Sequence, residues 1–199
     1  MIRYKRMGLF LGLGLLLFAG TAASATIVSI DAEENAARRY MQYTSAQWLK
    51  VAFHTEPVTK EQASLLLLYQ ALLNPDPALM EITIAYGGDV NAYFTSEKEG
   101  MVPLIFIVVS EPKPASVVRF LLAHGANINV RMSLNPNMTL LMVASATSPY
   151  SDVIQVLLDA GADTNATHNG KTAYEFIQKN MSLRSSPVAE RLRKQTRFP

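Results

Sequence analysis

No cysteine occurs among the 199 residues, which excludes disulfides, thiolate metal sites, thiol nucleophiles and a cysteine-linked lipid anchor together. Charged residues are sparse at 17% and aromatics at 9%, with a single Trp. Aliphatic residues fill the difference, so a wholly disordered or low-complexity chain is excluded. Long hydrophobic runs are scarce as well. Beyond the first 25 residues the longest is the nine-residue stretch 101–109, interrupted by Pro103, against the roughly 18–20 needed to cross a bilayer. The three histidines, His54, His124 and His168, lie far apart with no ligand-type partner at i+4. Converging ligands are what a metal site requires, so no metal and no cofactor is expected. The length suits one compact domain or a short repeat array.

What is present begins with a leader. Arg3, Lys5 and Arg6 precede a 14-residue apolar run, 7–20, that ends in Thr21-Ala-Ala-Ser-Ala25. A basic start, a short apolar core and an A-x-A site read as a secretory signal, here residues 1–25, and the run is too short for a membrane anchor. Cleavage after Ala25, export to the periplasm and no later span are therefore expected.

Removing the leader changes the charge. The whole chain carries +2, but 15 basic residues face 16 acidic ones in what remains. Residues 181–199 hold Arg184, Arg191, Arg193, Lys194 and Arg197 against Glu190, net +4, which leaves −5 on residues 26–180. An acidic body with a basic tail does not suit nucleic acid.

Internal repetition is the strongest signal. Gly87-Gly-Asp-Val-Asn91, Gly125-Ala-Asn-Ile-Asn129 and Gly161-Ala-Asp-Thr-Asn165 recur at intervals of 38 and 36 residues. Each follows an apolar helical face: Leu79, Ile82 and Tyr86; Val117, Leu121 and Leu122; Val153, Leu157 and Leu158. The glycine is placed to close the last turn in the left-handed region, and the asparagine to bond nearby backbone and hold the next turn.

These segments resemble the ankyrin-repeat family. Phe120-Leu-Leu-Ala-His-Gly-Ala-Asn-Ile-Asn129 and Val156-Leu-Leu-Asp-Ala-Gly-Ala-Asp-Thr-Asn165 look like the end of its second helix. The family's Thr-Pro-Leu-His opening is degraded to Val102-Pro-Leu-Ile105, Thr139-Leu-Leu-Met142 and Thr172-Ala-Tyr-Glu175. Its histidine is missing throughout, and with it the inter-repeat hydrogen bonding that the residue supplies. A first opening falls near Leu66, with Ala71 at the small position also filled by Ala144. The resemblance implies an all-α ankyrin-repeat solenoid of about four helix-turn-helix repeats, at 62–94, 100–133, 137–167 and 170–182, the last with its first helix only.

Residues 26–61 form the expected N-terminal cap, with one amphipathic helix over 31–54 carrying Tyr40, Tyr43 and Trp48, because a bare end repeat would expose apolar surface. Thr59-Lys-Glu-Gln62 matches a capping box that restarts helix. Residues 183–199 are left as a basic tail that pairs with the body, stays solvated, or touches a partner or lipid. Two loops, 91–102 and 129–139, are longer than the family pattern, and Glu111-Pro-Lys-Pro114 lengthens the turn inside the second repeat. Insertions in a solenoid fall in loops, often on the binding face.

Chemistry is thin. The nearest enzyme pattern resembles the serine β-lactamase set, at Ser110-Glu-Pro-Lys113, Ser151-Asp-Val153 and Lys171-Thr-Ala173, but the second and third are incomplete and all three fall on repeat turns and openings. The sequons at Asn137 and Asn165 coincide with repeat positions. Function is thus expected from surface, without catalysis. The partner-binding candidates are Tyr93, Phe94, Glu97 and Glu99 on the first long finger, Arg131, Met132, Leu134 and Asn135 on the second, and His168 and Asn169 on the third. The bland alternative for Tyr93 and Phe94 is packing against the neighbouring finger. A small exported chain of this kind is similar to ankyrin immunity proteins that neutralise lipase or phospholipase effectors of type VI secretion. The alternative partner is a catalase or other antioxidant enzyme that the protein supports.

Overall fold

The computed structural model describes residues 27–28, 37–96, 100–111 and 114–197. Among these, nine helices run in chain order: α1 (Ala46–Thr55), α2 (Lys60–Leu73), α3 (Pro77–Ala85), α4 (Leu104–Ser110), α5 (Ala115–Ala123), α6 (Leu140–Thr147), α7 (Ser151–Asp159), α8 (Ala173–Lys179) and α9 (Pro187–Gln195). The even-numbered helices α2, α4, α6 and α8 stack as one row, while α1 packs on α3, and α5, α7 and α9 follow one another in the second row. Each repeat is a helix pair that buries its apolar faces only by stacking on its neighbours, so the core is a single cluster running the length of the array.

The three glycine motifs close their helices identically. Gly87, Gly125 and Gly161 sit at φ +105, +88 and +82. Their N–H groups donate to Ile84, Leu122 and Leu158, and the following N–H groups reach Thr83, Leu121 and Leu157 at 2.9–3.0 Å. That paired pattern satisfies two orphan carbonyls per helix, and the left-handed glycine makes it free of Cβ strain.

The asparagines work differently from expectation. The turn is held one step earlier, where the side chains of Asp89, Asn127 and Asp163 accept from the N–H groups of Asn91, Asn129 and Asn165 at 2.8–2.9 Å. Asn91 instead links repeats: its Nδ2 donates to the Gly125 carbonyl at 2.9 Å and its Oδ1 accepts from the Asn127 N–H at 2.8 Å. Asn180 does the same further along, donating to the carbonyls of Ser145 and Ser148 at 3.1 and 2.8 Å. Hydrogen bonding between repeats thus survives without the family histidine, whose positions carry buried Ile105 and Met142 and Glu175, which caps α8 through the Thr172 N–H at 2.6 Å.

Both ends depart from the sequence reading. At the N-terminus a helical turn at 37–40 stops before α1 begins; residues 31–36 of the expected 31–54 helix lie outside the described residues. Thr44 and Ser45 favour cap geometry over helix interior, and Ser45 takes the extended N-cap conformation. Tyr40 turns inward, its ring 4.9 Å from that of Phe53 and its hydroxyl donating to the Glu56 carbonyl at 3.2 Å. Trp48, on the opposite side of α1, is 65% exposed. The capping box at Thr59 and Gln62 forms as the sequence predicts, with both bonds at 3.2 Å.

At the C-terminus the last repeat is complete. Residues 183–197 are no tail: Ser186 caps α9, Pro187 occupies its first turn, and Val188, Ala189 and Leu192 are buried against α7 and α8. Arg191 pairs with Asp159 at 2.7 Å. The chain then docks on the third finger, where Thr164 Oγ1 donates to the Gln195 carbonyl at 3.1 Å and the Arg197 N–H donates to Asn165 Oδ1 at 2.7 Å. Arg197 thereby repeats the bond that Asn127 makes to Asn91.

Candidate functional site: the finger face

The first long finger is a β-hairpin. Strands β2 (Tyr93–Ser96) and β3 (Gly100–Pro103) pair antiparallel, and β1 (Ile27–Val28) joins β2 in parallel, Ile27 opposite Tyr93 and Val28 opposite Phe94. Side chains alternate across a strand. Val28, Phe94 and Val102 share the inward face and are buried, Phe94 at 1% exposure. Ile27, Tyr93, Thr95 and Met101 share the outward face.

The alternation separates the two neighbouring candidates. Phe94 is core and cannot touch a partner, whereas Tyr93 is half-buried on the open side, where burial raises its hydroxyl pKa above the ordinary value. Glu97 and Glu99 lie outside the described residues.

The second finger leans on β3. Ser133 donates its N–H to the Met101 carbonyl at 3.2 Å, and its Oγ accepts from the Met101 N–H at 2.7 Å. Gly100, at φ +68, permits this approach: a Cβ there would collide with Ser133 Oγ and stand 2.9 Å from Leu134 Cγ. Leu134 is exposed at 60%, Asn135 is exposed and Arg131 is half-buried, but Met132 is buried at 7% and drops out of the contact row. On the outward face Ile27 (52% exposed) pairs beside Tyr93 and Met101 (37%) beside Thr95, and Leu134 (60%) is exposed on the adjoining finger next to Gly100. Ile27 and Met101 escaped the sequence reading because their role depends on strand pairing.

On the third finger, His168 and Lys171 form a two-residue hairpin around Asn169 and Gly170. Asn169 is exposed and His168 half-buried. Lys171 lowers the Lys179 pKa, because the two amines can share a hydrogen bond only when one has lost its proton and because two neighbouring cations disfavour full protonation. The fourth repeat thus offers a basic spot beside a predominantly acidic array.

Two concavities elsewhere on the described surface are small for a ligand. A polar cleft lined by Tyr174, Gln178, Arg184, Ser186 and Glu190 holds about 210 Å³, below the ~300–1,000 Å³ of ligand pockets. A groove between α3 and α5, at Pro77, Met80 and Phe120, holds about 20 Å³, enough for about one water. Among the described residues no three His, Asp or Glu side chains converge as metal ligands, and no helix is long and apolar enough to cross a membrane. His124 Nδ1 donates to the Phe120 carbonyl at 2.9 Å with the two rings stacked. His54 Nδ1 lies 2.8 Å from both the Lys50 carbonyl and the Tyr86 hydroxyl. Of the lactamase-like pattern, Ser110 Oγ donates to the Ile107 carbonyl at the end of α4, and Ser151 opens α7.

Comparison with known proteins agrees with this architecture. No curated protein matches the chain significantly. The family model for ankyrin repeats, in three copies, matches residues 67–168, which spans the finger hairpin and all three glycine motifs. Stacked helix pairs, left-handed glycine closures and projecting fingers make this chain a member of the ankyrin-repeat family, a protein–protein interaction module.

Proposed function

We propose that this protein is an exported, periplasmic ankyrin protein without catalytic activity, which binds one protein partner through its finger face and neutralises it. The observation that carries the reading is the outward sheet face of Ile27, Tyr93 and Met101, with Leu134 exposed on the adjoining finger. Large apolar side chains that face solvent on adjoining fingers are the kind of surface a protein partner covers. Tyr and Met are residue types enriched where interface energy concentrates. The acidic body, −5 over residues 26–180, favours encounter with a basic partner surface.

The most specific form of the proposal is an immunity protein against a type VI secretion lipase or phospholipase effector, whose active-site mouth the fingers cover. The test is to produce the full chain in a periplasm, capture it, identify the co-purifying protein and assay it. A bound lipase-type enzyme that loses esterase activity on titration supports the reading. A catalase or other antioxidant enzyme in its place, with activity unchanged or raised, overturns the immunity role. An ester-cleaving activity of the pure chain would overturn the non-catalytic assignment.

A further inference from the structure

The third finger carries a bond arrangement with its own chemistry. Asn169-Gly170 is the one Asn-Gly pair in the sequence. Asn169 has φ +52 and Gly170 φ +71, which with the two His168–Lys171 backbone bonds at 2.9 and 3.0 Å makes a type I′ hairpin tip. Asn169 is the only non-glycine residue with positive φ among the described residues, a conformation that costs free energy for a residue with a Cβ. Both residues are exposed, and a Cβ placed on Gly170 would meet nothing within 4 Å. Among the described residues the Gly170 N–H has no backbone carbonyl partner. Asn169 Nδ2 lies 3.2 Å from His168 Nε2.

We propose that Asn169 is a site of spontaneous deamidation, which converts the tip of the third finger to aspartate and isoaspartate. The Gly170 nitrogen, unshielded by any side chain, attacks Asn169 Cγ and forms a five-membered imide. The Cγ–Nδ2 bond breaks and ammonia leaves; the proton that the Gly170 amide gives up passes to water, and the His168 imidazole, whose Nε2 lies 3.2 Å from Nδ2, takes a proton from water and hands it to the leaving nitrogen. Water then opens the imide at either carbonyl, giving aspartate from one and isoaspartate from the other, with no change of oxidation state. Ring closure requires Asn169 to leave its left-handed conformation, which the unpacked tip allows.

The product places a new carboxylate beside His168, Lys171 and Lys179, and isoaspartate adds a methylene to the backbone of a turn whose two-residue length sets the hairpin register. The finger face therefore gains one negative charge at its C-terminal end, offsetting part of the basic spot there.

The experiment incubates the purified protein at neutral and at mildly alkaline pH and follows charge variants by ion exchange, with peptide mapping and isoaspartyl methyltransferase labelling. We expect a more acidic species to accumulate, faster at the higher pH, with the modification at Asn169 before any other asparagine. Asn169→Gln abolishes that species while unfolding like the parent, and His168→Ala slows its formation. An intact Asn169 after incubation, or earlier conversion at Asn137 or Asn165, overturns the proposal. An unchanged rate in His168→Ala overturns the role given to the imidazole.

Discussion

Truncating Leu192 separates a C-terminal helix that completes the array from a charged tail that merely follows it. Leu192 is fully buried in α9, facing α7 and α8 with Val188 and Ala189. Leu192→Ala removes three carbons; at about 0.8 kcal/mol per buried methylene the transfer loss is about 2.4 kcal/mol, and the unfilled cavity takes buried Leu→Ala changes into the range of roughly 2–5 kcal/mol. Among the described residues this repeat packs against a neighbour on one side only, which lets the cavity relax, so we place Leu192→Ala near 2–3 kcal/mol within that range. Urea unfolding followed by far-UV circular dichroism measures this against Arg193→Ala. Arg193 sits on the same helix with an exposed partner, Glu190 at 2.8 Å, and its loss should leave the unfolding midpoint close to the parent's because solvent screens the pair. Equal, near-zero effects of both variants would refute the assignment of residues 187–195 to the folded array.

Further outcomes follow from the same contacts. Phe94→Ala should destabilise by about 3–5 kcal/mol as a buried aromatic truncation, while Leu134→Ala leaves unfolding within about 0.5 kcal/mol of the parent; the reverse ranking in chemical unfolding would exchange their inward and outward assignments. Gly100→Ala forces a Cβ into Ser133 and Leu134 at a positive φ and should cost roughly 1–3 kcal/mol, read as a lower melting temperature; no change would mean that the second finger does not rest on β3. Burial, with Glu56 nearby, raises the Tyr40 pKa above its ordinary 10.0. The neutral phenol is therefore the form the fold prefers, so its contribution to stability is present below pH 10 and is lost as pH rises from there through the folded pKa. Tyr40→Phe should flatten that alkaline decline in a pH series of unfolding midpoints, and an unaltered decline would remove Tyr40 as its source.

How much of this was legible in the sequence depended on the range of the interaction. The glycine closures at 87, 125 and 161 rest on bonds within six residues, so a local motif carried them. The strand pairing of Ile27 with Tyr93 joins segments 66 residues apart, beyond any local pattern, and only the resulting alternation separates outward Tyr93 from buried Phe94. Met132 was misplaced for the same reason, since the lean of the second finger on β3 decides which side is covered. The C-terminal helix was hidden by composition: Arg191, Arg193 and Lys194 drew attention from the Val188, Ala189 and Leu192 stripe and from the Ser186-Pro187 start signal that precedes it. Asn91 shows a subtler limit. Its residue type suits a turn, but Asp89 already holds that turn, which frees Asn91 to bridge to Gly125 and Asn127.

Amide hydrogen exchange on the protein, alone and with its captured partner, tests the location of the binding face most directly. We expect added protection at residues 93–103 and 131–135, falling when Tyr93 and Leu134 are both changed to Ala, a pair whose loss should weaken binding by about 2 kcal/mol or more if they are anchors. Protection confined to α1 around Trp48, or to the α3, α5 and α7 row, with the double variant binding as tightly as the parent, would contradict it.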